Sequence, residues 1–365
     1  MLSIIKIFMK KAVDNPHKIL IIQLGGIGDV VMSTPTIEAL RKHYKNAYIA
    51  LLVISRASSL IEGLPYIDEL FAIDTQLISL RKLFNGLYLF KTIRLIKILR
   101  SRHFDMVINL KRIWTWIGAF KTIIFIKLVG AKYSVGKYTS KSFFYSMKVK
   151  EPKGEIKHMV EENLDIARAL GCEIKKVKLS LPISDKERKF ILDFMRKKGL
   201  SKNDKLIGFN PGAFRPARRW PMFRWSALAD RLIEEYRCKI VIAGDKSDVK
   251  VIEEIKNAVY KKESIITITE FTLKQYAALM ERFILFITND TGPMHMATAV
   301  GIPVVALFGS GEEEMFYPYP RNSKHIVIRK KVPCAPCYKF KCKNNICMQL
   351  ITVREVMWQV KKILR

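Results

Sequence analysis

Residues 288–295, with the sequence TNDTGPMH, and residues 209–213, with the sequence FNPGA, each join an apolar run to a helical pattern. The runs before them, Leu206–Phe209 and Phe283–Ile287, predict buried strands. In open parallel sheets, ligands bind where strands end and helices begin. Pro293 suits the first turn of a helix, whose free N–H groups can bind a phosphate. The two stretches therefore predict one pocket at the carboxyl ends of the strands.

Strands and helices alternate regularly around these two stretches. The predicted strands are Lys205–Phe209, Lys239–Ala243, Ser264–Ile268, Phe283–Ile287 and Pro303–Phe308. The predicted helices are Met222–Tyr236, Val249–Val259, Leu273–Met280 and Met294–Ala299. Such alternation is typical of a doubly wound parallel sheet, so the second half of the chain is predicted to be α/β.

The first half opens with a similar junction. Lys18–Leu24 predicts a central strand, GGIGD follows at residues 25–29, and a helical pattern continues to about His43. The glycines fit neither the dinucleotide fingerprint, because Val31 takes the third position, nor a P-loop. Asp29 stands near the start of the helix, where an N-cap is the preferred interpretation from spacing alone. The alternative is a carboxylate directed into a cleft between domains.

The length of 365 residues predicts two domains. We expect a first domain at 1–180, which includes a basic region at 79–148, and a second domain at 181–350. A C-terminal helix within 351–365 is expected to pack across both domains.

The charge balance indicates an anionic partner. The chain has 64 Lys and Arg against 33 Asp and Glu, a net charge of +31. Nucleic acid, an anionic membrane and a phosphorylated substrate would each fit. No recognised nucleic-acid module and no spaced aromatic platform occurs in the sequence, so nucleic acid is the least favoured of the three.

The basic region at 79–148 contains fifteen Lys and Arg and one acidic residue. On a helix, part of it would form a basic flank beside an apolar stripe. We predict that this flank faces the acceptor or an anionic membrane, whereas an ordinary solvated helix face is the alternative. The four residues of the flank are Lys91, Arg94, Lys97 and Arg100.

Two apolar stretches bear on localisation. Met1–Met9 is short and lacks the features of an export signal, so it is read as an amphipathic surface helix or a frayed terminus. Ile113–Val129 carries Lys121 and Lys127, which favours a buried or interfacial helix over a membrane span. The protein is expected in the cytoplasm, peripheral to the inner membrane.

Two further groups of residues suit particular ligands. Arg215, Arg218 and Arg219 lie beside the strand-end loop and could grip a diphosphate, although surface charge is the alternative. Four cysteines, separated by two, four and four residues, leave open a structural zinc site or a loop of reduced or partly paired thiols. These cysteines are Cys334, Cys337, Cys342 and Cys347.

Three blocks, Lys18–Arg41, Asn210–Trp220 and Thr288–Ser310, resemble glycosyltransferase family 9. That family contains the ADP-heptose:lipopolysaccharide heptosyltransferases. The resemblance implies an α/β fold of GT-B type, in which two Rossmann-like doubly wound domains face each other across a cleft. It also implies transfer of a heptose or related sugar from an ADP-activated donor to a lipopolysaccharide core, with inversion at the anomeric carbon. A relative with another nucleotide-sugar or glycan acceptor is the alternative.

The resemblance also implies roles for individual residues. Asp29 becomes the general base, while Arg218 stands where family members usually carry Lys. Asp245 and Asp248 are candidates for contact with the ribose. No Asp-x-Asp motif occurs, so the expected transfer is metal-independent and needs no cofactor. The implied donor-binding residues are Gly212, Ala213, Arg218, Asp290, Thr291, Gly292, Pro293 and His295.

Overall fold

Both halves of the chain build the same kind of sheet, with six parallel strands flanked by helices. The computed structural model describes residues 15–74, 86–150 and 156–364. The chain divides into two compact units, Met1–Lys178 and Leu179–Arg365. Two Rossmann-like units in one chain confirm the predicted fold class, α/β of GT-B type. The predicted Met1–Met9 segment and residues 79–85 of the basic region lie outside the described residues.

The first unit begins with the predicted strand and helix. Its strands are β1 (Lys18–Gln23), β2 (Tyr48–Ile54), β3 (Glu69–Ile73), β4 (Met106–Asn109), β5 (Tyr133–Lys137) and β6 (Met147–Val149). Its helices are α1 (Ile27–His43), α2 (Ser55–Ile61), α3 (Gly86–Ser101), α4 (Trp116–Val129) and α5 (Met159–Ala169).

Alternation along β1 explains how the first sheet is covered on both faces. Successive side chains of a strand point to opposite faces. Ile19 and Ile21 pack into a core that includes residues of α1 and α5, whereas Leu20 packs into a second core with Leu99 of α3 and Val129 of α4. The continuous apolar run of β1 is therefore the signature of a central parallel strand.

The second unit contains the remaining elements. Its strands are β7 (Leu206–Asn210), β8 (Lys239–Ala243), β9 (Ile265–Ile268), β10 (Phe283–Asn289), β11 (Val304–Phe308) and β12 (His325–Arg329). Its helices are α6 (Asp185–Lys197), α7 (Met222–Tyr236), α8 (Val249–Ala258), α9 (Leu273–Met280), α10 (Gly292–Val300), α11 (Glu313–Phe316), α12 (Ile346–Gln349) and α13 (Val353–Ile363).

The strand order creates one switch point in each sheet. The first sheet has the order β3-β2-β1-β4-β5-β6, and the second has the order β12-β11-β10-β7-β8-β9. Connections therefore reverse direction between β1 and β4, and again between β7 and β10. Ligands of doubly wound sheets bind at such switch points, outside the carboxyl ends of the strands.

The C-terminal helix α13 packs onto the core of the second unit. Val356 and Val360 are fully buried there, in the same cluster as Leu232 of α7. Lys361 Nζ lies 3.0 Å from Glu235 Oε1, which adds an ion pair between the same two helices. A contact of this helix with the first domain, which the sequence also predicts, stays a prediction.

Helices α3 and α4 cover one face of the first sheet and pack against each other. The described helices include none that combines the length and the apolar character needed to cross a bilayer. The apolar stretch that ends at Val129 is α4, which is 14 residues long and rests on the sheet.

Candidate functional site

Two asparagines hold together the loops at the switch point of the second sheet. The Asn210 amide donates to the carbonyl oxygen of Ala243 (2.9 Å), and its side-chain oxygen accepts from the hydroxyl of Thr291 (3.1 Å). The Asn289 amide donates to the carbonyl oxygen of Pro211 (2.8 Å). Both asparagines are buried, so these bonds fix the loops that follow β7 and β10. Both asparagines lie in the two stretches from which the pocket was predicted, but the sequence did not indicate that they would hold the loops together.

Arg218 and Asp290 form an ion pair at the same edge. Arg218 Nη1 lies 2.8 Å from Asp290 Oδ2 and also donates to the Asp290 carbonyl oxygen at 3.2 Å. The Arg218 side chain is 17 % exposed and that of Asp290 is 3 % exposed. One hydrogen bond and one ion-pair contact thus hold the guanidinium, and the shielding from water strengthens both.

Gly311, in the turn after β11, makes room for this ion pair. A Cβ atom at this position would lie 2.2 Å from Asp290 Oδ2 and 3.2 Å from Arg218 Nη2. Any side chain would displace the pair, so the close approach requires glycine. This residue belongs to the candidate site by geometry, although the sequence analysis did not select it.

Gly212 and Ala213 lie beside Asp248. The Arg219 guanidinium links them, since its Nε–H donates to the Ala213 carbonyl oxygen (3.1 Å) and its Nη2 lies 3.4 Å from Asp248 Oδ1. Burial raises the pKa of Asp248 and the nearby charge of Asp245 raises it further, while the backbone N–H of Asp245 and Arg219 lower it. One of the two ribose candidates thus lies directly against the loop at residues 209–213, which the sequence predicts to bind the donor.

The start of α10 carries the remaining predicted donor residues. Thr291 is the N-cap and the helix begins at Gly292, two residues before the predicted start at Met294, while Pro293 lies in the first turn, as the sequence predicts. The side chain of Thr291 makes no capping bond to this helix and instead contacts Asn210. His295 is buried at 3 % exposure in the first turn of α10. Its direct contact with a donor phosphate stays a prediction.

The segment that carries the four cysteines, residues 334–347, contacts two neighbouring loops through its backbone. One is the loop after β11, and the other contains Arg215. The Cys337 and Tyr338 N–H groups donate to the Ser310 carbonyl oxygen at 3.1 Å. Arg215 Nη1 donates to the Tyr338 carbonyl oxygen at 2.6 Å. Within the described ranges, no group of three or more His, Cys, Asp or Glu residues is placed to hold a metal ion. The structural zinc that the cysteine spacing left open is therefore not supported, and the four cysteines are free thiols.

Asp29 is the third residue of α1, at the switch point of the first sheet. The N-cap is Gly26, whose N–H donates to Asp29 Oδ2 at 2.6 Å. The prediction of Asp29 as the N-cap itself was wrong, because the helix begins at Ile27 and the carboxylate reaches back to the cap. A Cβ atom on Gly25 would lie 2.4 Å from the same oxygen, so the loop folds closely around the carboxylate.

The surroundings of Asp29 are cationic. Burial raises the pKa of its carboxyl group, while the Gly26 N–H and the charges of Lys111, Lys137 and Arg56 lower it, and the net direction is upward. Part of the residue is still accessible to solvent. Among the described residues, no hydrogen bond to its second oxygen, Oδ1, is found. Such a carboxylate can accept a proton from a ligand.

A buried ion network holds one of these cations. Glu162 is 2 % exposed and Lys137 is 3 % exposed. Glu162 Oε2 accepts from Lys137 Nζ at 3.1 Å and from Arg112 Nε at 3.0 Å, while its other oxygen accepts from Arg112 Nη2 at 2.6 Å. The network fixes a positive charge near Asp29, which the sequence could not indicate because the three residues lie on separate elements.

The predicted acceptor-facing residues all lie on α3. Lys91, Arg94, Lys97 and Arg100 are exposed, as a basic flank requires. They belong to the first unit, whereas the predicted donor residues belong to the second. Their contact with an acceptor or a membrane stays a prediction.

Comparison with known proteins agrees with this architecture. A lipooligosaccharide heptosyltransferase 2 of Campylobacter jejuni subsp. jejuni serotype O:6 is 26% identical over 350 residues, which cover 92% of this chain and 96% of that protein. A lipopolysaccharide heptosyltransferase 3 of Escherichia coli is 25% identical over 301 residues, covering 81% and 84%. The crystal structure of a family 9 glycosyl transferase from Veillonella parvula DSM 2008 superimposes with a TM-score of 0.80 at 25% identity, covering 95% and 97%.

The family model of "Glycosyltransferase family 9 (heptosyltransferase)" matches residues 92–347. This match spans most of the chain and includes all the predicted donor-binding residues. It does not include Asp29, although the alignments to the heptosyltransferases extend over a larger share of the chain. By its match to the family model and by its fold, the chain belongs to glycosyltransferase family 9.

Proposed function

We propose that the protein transfers a heptose from an ADP-activated donor to a lipopolysaccharide core, with inversion at the anomeric carbon and without a metal ion. The main observation behind this proposal is Asp29, a partly exposed residue whose carboxyl group has a raised pKa and lies at a switch point within the influence of three cations. A glycosyl transfer needs a base for the attacking hydroxyl, and an anionic acceptor needs cations beside that base. The names of the heptosyltransferase relatives support the sugar and the acceptor.

The proposed reaction is a single displacement. The oxygen of an acceptor hydroxyl bonds to the anomeric carbon while the bond from that carbon to the diphosphate breaks. The hydroxyl proton passes to Asp29, and the bonding electron pair leaves with the diphosphate. Attack opposite the leaving group inverts the anomeric carbon, and only one carboxylate is needed for it. General-base catalysis of this kind contributes roughly 10²–10⁴ in rate.

The donor is assigned to the switch point of the second sheet. The departing diphosphate gains negative charge, so fixed donors and cations there would stabilise the transition state. Arg218 offers an oriented guanidinium, and the first turn of α10 offers backbone N–H groups. These groups supply the positive charge that a metal ion supplies in other glycosyltransferases, in keeping with the lack of an Asp-x-Asp motif.

The acceptor is assigned to the first unit. Lys111, Lys137 and Arg56 act on Asp29 through their charge, and they would attract the carboxylates and phosphates of a lipopolysaccharide core. The exposed basic flank of α3 would attract an anionic leaflet in the same way. We therefore propose that the protein works at the surface of the membrane that contains its acceptor.

A thermal-shift screen of nucleotide-sugars, followed by a transfer assay in the presence of a chelator, tests the proposal. A bound donor stabilises the folded protein by mass action, so ADP-heptose should raise the melting temperature more than UDP- or GDP-sugars. Stabilisation by another nucleotide-sugar alone would point to a relative with a different donor. Loss of transfer on chelation would contradict the metal-independent mechanism.

A further inference from the structure

Helix α4 has large apolar side chains on both of its faces, and its charged residues are Lys121 and Lys127. Its inner face packs on the first unit through Ala119 and Val129, with Phe125 and Ile126 beside them. Its outer face carries five large apolar side chains that remain exposed, and Trp116 and Phe120 are each 63% exposed. A helix that is apolar all round is normally covered on every side. The exposed residues are Trp116, Ile117, Phe120, Ile124 and Leu128.

Helix α3 extends this surface and adds charge. Phe90 and Ile93 are exposed apolar residues on it, at 64% and 43%. The basic flank of α3 is exposed alongside them. Arg100 Nη1 donates to the Leu128 carbonyl oxygen at 3.2 Å, which ties the C-terminal ends of the two helices together. The two helices therefore present apolar and basic side chains on one continuous surface.

Aromatic residues with cations beside their rings surround the N-terminal end of α4. Trp114 is 66% exposed and Phe143 is 60% exposed. The Trp116 ring centroid lies 6.5 Å from that of Phe143 and 5.7 Å from Lys141 Nζ. Tryptophan with nearby cations is typical of the boundary between a bilayer and water, where the ring is half buried and the charge meets headgroups.

We propose that this aromatic-basic surface, formed by the outer faces of α3 and α4 with Trp114 and Phe143, inserts into the headgroup region of an anionic bilayer. With 14 residues, α4 is too short to span the hydrocarbon, so it lies in the plane of the leaflet. The apolar side chains enter the acyl boundary, while the basic residues contact anionic headgroups.

Charge complementarity favours a membrane over a second copy of this chain. Residues 79–148, which include both helices, carry fifteen basic residues and one acidic residue. Two copies that met through this surface would bring these like charges together. An anionic leaflet offers opposite charge to the basic residues and apolar volume to the aromatic ones.

Insertion would also place the proposed base near the leaflet, a consequence that rests on the proposed function. Trp114 follows β4 in the same loop as Lys111, whose Nζ donates to the Leu24 carbonyl oxygen at 3.4 Å. Leu24 opens the loop that leads to Asp29. A lipid-anchored acceptor would then meet the base at the membrane surface, with no need to leave the leaflet.

Quenching of tryptophan fluorescence by lipids with brominated acyl chains tests the insertion. The probe is the full chain carrying Trp358→Phe, mixed with vesicles of phosphatidylglycerol and phosphatidylethanolamine. Trp220 and Trp225 are buried, at 1% and 0% exposure, so the remaining signal that can change belongs to Trp114 and Trp116. We expect a blue shift and quenching on vesicle binding. Vesicle binding without either change would overturn insertion.

A triple variant tests which surface is involved. Trp116→Ser, Phe120→Ser and Ile124→Ser together should lower vesicle affinity at least about tenfold, because each removes apolar contact with the bilayer. The matched control replaces three exposed aromatic residues of the second unit, Phe223→Ser, Tyr260→Ser and Trp358→Ser, and should bind as the parent does. An equal loss of vesicle affinity in both triple variants would overturn the assignment of the membrane-binding surface to α4.

Two further measurements separate the alternatives. Light scattering that finds a dimer of the parent and a monomer of the α4 triple variant would assign the surface to a second copy. ADP affinity, measured by calorimetry without lipid, should be the same in the parent and the α4 triple variant. If no nucleotide or nucleotide-sugar binds, the proposed function fails, whereas the vesicle results still decide the insertion.

Discussion

Arg218 and Asp290 lie 72 residues apart in sequence, yet Arg218 Nη1 and Asp290 Oδ2 meet at 2.8 Å. The carboxylate offsets part of the charge of the guanidinium, and the hydrogen bond from Arg218 Nη1 to the Asp290 carbonyl oxygen restricts the direction in which the remaining N–H groups point. A diphosphate would therefore meet a cation that is already oriented, which reduces the entropy lost on binding. We propose on this ground that Asp290 positions Arg218.

Replacement of Arg218 tests the proposed diphosphate site. Arg218→Ala should weaken ADP binding by roughly 1.5–3 kcal/mol, the value of a charged hydrogen bond. The matched control is Arg215→Ala, because Arg215 donates to the Tyr338 carbonyl oxygen in the same loop. Calorimetry with ADP measures both. Unchanged affinity in Arg218→Ala with reduced affinity in Arg215→Ala would move the phosphate contact to Arg215.

Asp29→Asn should lower turnover at least about a hundredfold, the lower range expected for loss of a general base. The asparagine oxygen can still accept from the Gly26 N–H, so α1 keeps its cap. The raised pKa means that ionised Asp29 destabilises the folded protein above its usual pKa, so the variant should melt at the parent's temperature or higher. Near-normal turnover would leave Asp29 with a capping role alone.

The pH dependence of kcat/KM should report the same carboxylate. Asp29 must be deprotonated to act as a base, and its pKa is raised, so activity should fall with decreasing pH at a value above the usual range of an aspartate. Lys111→Gln removes a charge that lowers this pKa and should move the inflection to higher pH. If the pH of the inflection is the same in Lys111→Gln as in the parent, the inflection belongs to a group other than Asp29.

Glu162→Ala should lower the free energy of unfolding by about 3–5 kcal/mol, because Lys137 would remain buried without its carboxylate. The neighbouring Glu161 provides the control. It pairs with Arg168 where both side chains are about a third exposed or more, so Glu161→Ala should cost no more than about 1 kcal/mol. Urea unfolding followed by circular dichroism measures both variants. Equal losses would contradict the buried network.

The basic flank of α3 predicts electrostatic binding to anionic vesicles. The parent should bind them and dissociate as salt rises toward ~0.5 M, where screening shortens the Debye length to a few ångströms. Replacement of Lys91, Arg94, Lys97 and Arg100 by Gln should weaken vesicle binding and raise KM for lipid acceptor, while ADP affinity stays unchanged.

The matched control removes four positive charges from the second unit, in α6 and at the residue that follows it. Its substitutions to Gln are at four exposed lysines, Lys186, Lys189, Lys197 and Lys198. This variant should bind vesicles nearly as the parent does. Equal weakening in both variants would mean that net charge, and not the position of α3, governs the attraction.

The sequence predicted the central strands well because their signal is local. Strand β8 and helices α7 and α9 have the predicted bounds, since a buried run or an amphipathic period is visible within a few residues. Strands β3, β5, β6 and β12 were not predicted. β6 has only three residues, and the apolar run of β12, at residues 326–328, is also only three residues long.

In the candidate site, too, features with a local sequence signal were predictable and features that depend on tertiary contacts were not. The strand-end loops were predictable because glycine, proline and capping residues follow apolar runs. The Arg218–Asp290 pair, the space at Gly311 and the cations near Asp29 were not predictable, because each depends on which strands become neighbours. Even the exact position of Asp29 in its helix depended on where the first turn begins, which a short Gly-rich junction does not specify.

The order of strands in the first sheet has a consequence for synthesis on the ribosome. β1 must wait for β4, and the Lys18 N–H donates to Asp105 Oδ2, a residue that follows it by 87 positions in the chain. At about 5–20 residues per second, that interval lasts roughly 4–17 s, during which one edge of β1 has no neighbour. An open, strongly apolar edge is a template for pairing with other nascent chains. The yield of native protein should therefore depend on translation rate through this interval and on chaperones that shield the strand, beyond any effect of final stability.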